Sequence, residues 1–390
     1  MISETIITGL CCLFLAILFF RFKPHFFVLL SRLVRINIGD TKNLQYSDQA
    51  VDSEISTDIK PETRIQSWLT LPSEKFLTLI FIFTIFSFLI YISLNSLSST
   101  LVQLGNNEFS AGHEKLGAAA YNLALEFNED LKEAVNKCSI YNIQKQYKLA
   151  ITHCNIAIEI NENYITAYTY RGLSYKSLKQ YDQAIADFSK VIKLIPIATS
   201  AYINRGAVYI DQNKYDLAIA EFTKSININP KEPQAWFNRG LCYDVQDKKD
   251  LAVSDYTKAI EIDSSYAVYY SSRGTIYAAQ KEYDLAISDF SKVIEIDVNN
   301  VDAYIWRGNA FADSKTFAKA IADYQQALAI TNDPRAKSYI YCVQGITYTK
   351  MGEFKSAIIS LEEGIKLDNT GQGDWCKSAL ENARQEIPTP

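Results

Sequence analysis

The chain has 390 residues, with 39 basic and 44 acidic side chains and a net charge of −5. That mildly acidic balance, without a basic stripe, argues against a nucleic-acid partner. The three histidines (His25, His113, His153) lie apart, and the chain has no Cys-x-x-Cys and no Gly-rich phosphate loop. No metal, cofactor or catalytic constellation is therefore expected, and no enzyme.

Thr5 to Phe20 is an apolar run of 16 residues, about 24 Å as a helix. That is short for a bilayer, but Arg21 and Lys23 can snorkel to the interface. A cleaved signal peptide is the competing reading. Its n-region, Met-Ile-Ser-Glu, has no basic side chain, and no Ala-x-Ala-like site follows, so an uncleaved anchor is expected. Phe26 to Ile36 sets Arg32 and Arg35 among apolar residues, the pattern of a helix lying in the interface. Residues 40–74 are polar and read as a flexible loop. Phe76 to Leu94 is a second apolar run of 19 residues, and no charged residue occurs between Lys75 and Glu108. It has the length of a transmembrane helix.

Basic residues cluster after the first run (Arg21, Lys23, Arg32, Arg35) and at Lys75, while neither outer flank carries any nearby. The positive-inside rule places the 21–75 loop in the cytoplasm and both termini outside. In a bacterium this is an inner-membrane protein with its C-terminal domain extracytoplasmic. A cytoplasmic C-terminal domain is the alternative.

From about residue 131 the sequence repeats every 34 positions. Tyr-x-x-Arg-Gly-x-x-Tyr or a close relative begins at Tyr168, Tyr202, Trp236, Tyr270 and Tyr304. Ala184, Ala218, Ala252, Ala286 and Ala320 follow at a fixed offset, each with an aromatic residue four positions later. Such a period means stacked helical hairpins that bury their faces against one another.

The pattern resembles the tetratricopeptide repeat, in which Pro closes each unit. Pro196 and Pro230 fill that place, while Ser264, Val298 and Asn332 replace it, so those turns need other chemistry. Units run 165–198, 199–232, 233–266, 267–300 and 301–337, with Arg335 to Lys337 as extra residues. Weaker units are expected at 338–371, at 131–164 and from about Ser98 (Gly105, Tyr121, Ala124). The resemblance implies an all-α, right-handed solenoid of about seven to eight units, preceded by two transmembrane helices. The expected domains are 1–39 (first membrane helix and interfacial segment), 40–74 (loop), 75–97 (second membrane helix), 98–371 (solenoid) and 372–390 (cap and tail). In the cap, Asp374 to Gln385 is predicted as an amphipathic helix with Trp375, Leu380 and Ala383 inward.

Where the family usually has leucine, five units carry Arg171, Arg205, Arg239, Arg273 and Arg307. Sixteen residues later stand Asp187, Glu221, Asp255, Asp289 and Asp323. The flanking units lose both members together (Lys137 with His153, Gln344 with Ser360). Joint change predicts one ion pair per unit, partly exposed and contributing about 0.2–1 kcal/mol. The alternative is an arginine stripe that reads an acidic ligand.

Five cysteines lie in the repeats: Cys138, Cys154, Cys242, Cys342 and Cys376. An odd count without framework spacing points to a reducing compartment, against the charge bias. Cys138 and Cys154 take the glycine and aromatic places of one unit. They face each other across a hairpin, as a disulfide if the domain is outside or as two buried thiols otherwise.

In the resembling family the concave wall is lined by first helices. Carried onto this chain, its ligand-facing positions are Thr169, Leu173, Lys176, Ile203, Asn204, Phe237, Asn238, Leu241, Ser271, Ile305, Trp306 and Asn309. The mixture of apolar and amide groups suits an extended peptide or a helix. The family's carboxylate clamp lacks its Lys and Arg set here. The resemblance thus implies a membrane-anchored scaffold that binds protein or peptide partners. One alternative is an accessory of export or surface-polysaccharide assembly that contacts glycan through its tyrosines. Another is a self-assembling structural scaffold.

Overall fold

The computed structural model describes residues 73–368 and 374–386. The first apolar run, the interfacial segment and the loop up to residue 72 lie outside the described residues. The chain divides into two compact units, Met1–Phe83 and Thr84–Pro390. Of the first, only Ser73–Phe83 is described, as helix.

Seventeen helices and no strand occur among the described residues. After α1 (Ser73–Ser110) they pair into hairpins: α2 (Glu114–Phe127), then α3 (Glu129–Ile143) with α4 (Tyr147–Ile160), and α5 (Ile165–Ser177) with α6 (Tyr181–Leu194). Next come α7 (Thr199–Asp211) with α8 (Tyr215–Ile228), α9 (Pro233–Val245) with α10 (Lys249–Ile262), and α11 (Ala267–Ala279) with α12 (Tyr283–Ile296). The series ends with α13 (Val301–Asp313) and α14 (Phe317–Ile330), α15 (Pro334–Met351) and α16 (Phe354–Leu367), and a last helix α17 (Asp374–Gln385).

Two kinds of turn make the period. Within a hairpin, the first helix ends on a left-handed residue: Lys145, Lys179, Asn213, Asp247, Lys281 and Lys315 have φ of 58–64°. The N–H of the following residue reaches back to a carbonyl five positions earlier, as in Gln180 to Tyr175 at 2.8 Å. This closes the helix end as a Schellman turn does. Among the described residues glycine fills the left-handed site only at Gly112 and Gly352. Between hairpins, the units without proline use side chains. Asp263 Oδ1 accepts from Ser265 N at 3.0 Å, and Asp297 Oδ1 from Asn299 N at 3.1 Å. The same Asx turn also occurs beside a proline, where Asn229 Oδ1 accepts from Lys231 N at 3.1 Å next to Pro230.

Helices within a hairpin approach closely because glycine meets an aromatic ring. A Cβ added to Gly206 would lie 2.7 Å from the Phe222 ring. First helices of adjacent units touch one another in nearly every pair, and second helices do not to that degree. The stack therefore curves with its first helices on the inner wall.

Three details extend or correct the sequence reading. The extra residues 335–337 are helical: Pro334 is the first residue of α15, capped by Asp333 Oδ1, and α15 has 18 residues against 13 in α13. In α17 Cys376 faces inward with Leu380 and Ala383, while Trp375 is 41% exposed and lies beside Tyr339. Finally, α1 does not break at residue 98, where membrane helix and solenoid were expected to meet. It has no proline, and its Ser93 and Thr100 hydroxyls donate back to carbonyls of their own helix. Among the described residues one segment, Thr84–Ser110, is long and apolar enough to cross a membrane by length and composition.

Candidate binding wall and the network behind it

The five arginines of the repeat are held behind the wall. Arg239 donates from Nε and Nη2 to the two carboxylate oxygens of Asp255, at 2.7 and 2.9 Å. Its Nη1 donates to Thr223 Oγ1, on the second helix of the preceding unit, at 3.1 Å. The same three-way bond joins Arg171 to Asp187 and Asn155, while Arg205 sends both Nε and Nη2 to Glu221 Oε2 and its Nη1 to Ser189. It recurs for Arg273 with Asp289 and Thr257, and for Arg307 with Asp323 and Ser291.

Each arginine thus ties its own hairpin together and ties that hairpin to the one before. The carboxylates are buried, so these pairs are not the partly exposed ones expected from sequence. The Asp255 carboxylate raises the Arg239 guanidinium above its ordinary value, as does Asp289 for Arg273. Each guanidinium is bidentate to its own unit's carboxylate or bonds it twice, and the arginine side chains are only 15–21% exposed, so they form no open stripe for an acidic ligand. In the next unit Ser360 and Gln344 form a neutral version of the bond at 3.2 Å.

The groove candidates separate into three groups. Ile203 and Ile305 are only 9% and 6% exposed and belong to the core. They correct the carried-over pattern, because close stacking of first helices swallows that position. Asn309 accepts from the Tyr324 hydroxyl at 2.8 Å and is committed to its own hairpin. Thr169 and Ser271 bond their own helix carbonyls, and Lys176 pairs with Asp211 at 3.6 Å. Leu173, Leu241 and Phe237 are half-buried, with Phe237 against Tyr256 and Tyr269.

What remains open to a ligand is narrower. Asn204 and Asn238 are half-buried with no hydrogen bond from their amides among the described residues. Trp306 is 37% exposed. On α9 and α11 stand two further exposed apolar residues that the sequence reading did not name, Val245 at 62% and Val268 at 46% exposure. A signal for them existed: both are apolar residues outside the core spacing of their helices. Tyr168, Tyr270 and Tyr304 are buried, while Tyr202 is half-buried and Tyr266 is 49% exposed.

Cysteines close both ends of the array. Cys138 and Cys154 form a disulfide across the α3–α4 hairpin, and Cys342 on α15 is bonded to Cys376 on α17. The sequence left the first pairing open and missed the second. Cys242 is free and buried, its thiol pushed up to about 12 by burial. Among the described residues no group of His, Cys, Asp or Glu is arranged to hold a metal.

Residues 165–196 match the tetratricopeptide repeat, and residues 197–375 match the ETO1 C-terminal domain. No curated protein matches the chain at a significant level. Among solved structures, the C-terminal part of a TPR repeat-containing protein from Cytophaga hutchinsonii shares the fold. It is 18% identical with a TM-score of 0.53, covering 65% of this chain and 100% of that one. MamA is 25% identical with a TM-score of 0.40, covering 42% of this chain and 90% of its own. YrrB, described as a TPR protein with an unusual peptide-binding site, is 24% identical with a TM-score of 0.40, covering 46% and 93%. The matched hairpin 165–196 is a tetratricopeptide repeat, and the all-helical solenoid it belongs to is of the tetratricopeptide type, the architecture of a protein-interaction scaffold.

Proposed function

We propose that the chain is a membrane-anchored scaffold whose inner wall binds an apolar segment of a partner protein. The observation that carries this reading is that the first helices, which form the inner wall, hold the exposed apolar side chains of Val245, Val268 and Trp306 and the unbonded amides of Asn204 and Asn238. Apolar side chains of a peptide or helix cover the former, and its backbone bonds the latter. Anchoring rests on the apolar run 76–94 and on the first run, Thr5 to Phe20, as a second membrane helix. The array is extracytoplasmic in this reading. The basic residues between the two runs support that side, as do the two disulfides, which persist in oxidising compartments.

The test is to replace Val245 with Lys and Trp306 with Ala in the full chain and identify proteins that co-purify from membranes. Loss of the same partner from both variants, with the helical circular dichroism unchanged, supports the wall. Unchanged recovery from both contradicts it.

A further inference from the structure

Helix α1 is exposed and apolar from Ile85 to Ile92, then joins the array. Asn95 Oδ1 accepts from Asn128 Nδ2 at 3.1 Å, and the Ser98 hydroxyl donates to the Ala124 carbonyl at 2.9 Å. Farther along, Asn106 donates to the Asn163 carbonyl at 3.1 Å, and Val102 and Asn106 are buried. The helix therefore runs from its apolar stretch into the solenoid without a linker. Where it enters lies a cleft of about 230 Å³, lined by Tyr91, Asn95, Ser98, Asn128, Asp130 and Asn161 among others.

We propose that this cleft seats the headgroup of one bilayer phospholipid bearing an amine, such as phosphatidylethanolamine. The inference rests on the membrane-anchored reading of α1. If residues 76–94 cross the bilayer, Tyr91 to Asn95 rises about 6 Å through the boundary. That distance is comparable to the headgroup layer, which adds about 5–8 Å on each side of the hydrocarbon. The cleft thus opens at headgroup height, with Tyr91 where interfacial aromatics collect.

Its chemistry selects the headgroup. Asn161 is 7% exposed; its Oδ1 accepts from Asn163 N at 3.0 Å, and its Nδ2 has no partner among the described residues. Asn95 likewise keeps its Nδ2 free, since its oxygen is the acceptor for Asn128. These two amide donors suit phosphodiester oxygens. Among the described residues Asp130 is the only ionisable carboxylate on the lining and forms no ion pair; it suits an ammonium. Among the described residues no lysine or arginine lines the cleft, so there an anionic glycerol headgroup meets a carboxylate with no cation to offset it.

The experiment uses the full chain, purified in mild detergent and examined by native mass spectrometry with phosphatidylethanolamine, phosphatidylcholine or phosphatidylglycerol added. A parallel carbonate wash of proteoliposomes reports membrane integration. Preferential retention of phosphatidylethanolamine is expected. Asp130→Asn should weaken the preference about threefold, and Asn161→Leu should abolish retention of all three lipids. Equal retention of the three lipids, or retention unaffected by both variants, overturns the headgroup seat while leaving integration intact. Release of the wild-type chain by carbonate overturns the anchoring, and the seat with it.

Discussion

Asn309 accepts a hydrogen bond from the Tyr324 hydroxyl at 2.8 Å, between the two helices of one hairpin. The same pairing occurs two hundred residues earlier in sequence terms, where the Tyr121 hydroxyl donates to Asn106. In the unit 233–266 Tyr256 takes the place of Tyr324, but Leu241 takes that of Asn309. The Tyr256 hydroxyl is accordingly buried without a partner. Other units put phenylalanine there: Phe188, Phe222 and Phe290.

Removing an unpaired buried hydroxyl recovers its desolvation cost. Tyr256→Phe is expected to stabilise the protein by about 1 kcal/mol, and Tyr324→Phe to destabilise it by a similar amount. Urea melts of the two variants check the opposite signs.

For the ion-pair network, removing one member leaves a buried charge. Arg239→Met or Asp255→Asn alone should each cost about 3–5 kcal/mol, and the double replacement should cost clearly less than their sum. Additive losses in a denaturation cycle would contradict the coupling. Thr223→Val should cost less than either single change, because it removes a single bond to the charged group.

How much of this was legible in the sequence depended on whether units could be compared. Arg171 with Asp187 was readable because five units keep the pair and two lose both members together. Its third partner, Asn155, was not, since asparagine, serine and threonine share the place and look unremarkable in a helix. Ile203 and Ile305 were misplaced because a family position says where a side chain starts, and not how closely the next helix stacks on it. Cys342 and Cys376 lie 34 residues apart. One full period puts them at matching positions of neighbouring first helices, a signal the cysteine count alone concealed. The turn at Asp263 was foreseen as needing something other than proline, yet its Asx geometry required the backbone.

The cysteines give a count that can be measured. With Cys11→Ser and Cys12→Ser, the native protein should show no reactive thiol, the unfolded unreduced protein one, and the unfolded reduced protein five. Reducing Cys342–Cys376 should cost about 2–4 kcal/mol and expose α17 to protease first, because that bond ties the last helix to the array. Protease cleavage unaffected by reductant would count against the clasp.

Alkaline pH should weaken the fold. Burial raises the Cys242 thiol from 9.0 to about 12, and raises the Tyr256 and Tyr324 hydroxyls in the same direction. A group with a raised folded value holds its proton in the native state while the unfolded chain releases it. Its contribution is fully present below about pH 9 and is lost as pH rises toward about 12. Urea midpoints should fall across that window, and Cys242→Ala should shallow the fall.

Binding on the inner wall can be read by site-specific photo-crosslinking in membranes. A crosslinker at Val245 on the inner wall is compared with one at Leu251, which is 49% exposed on the second helix of the same unit. The account predicts a discrete partner adduct from Val245 and none from Leu251. Equal capture from both positions, or capture from Leu251 alone, would contradict it.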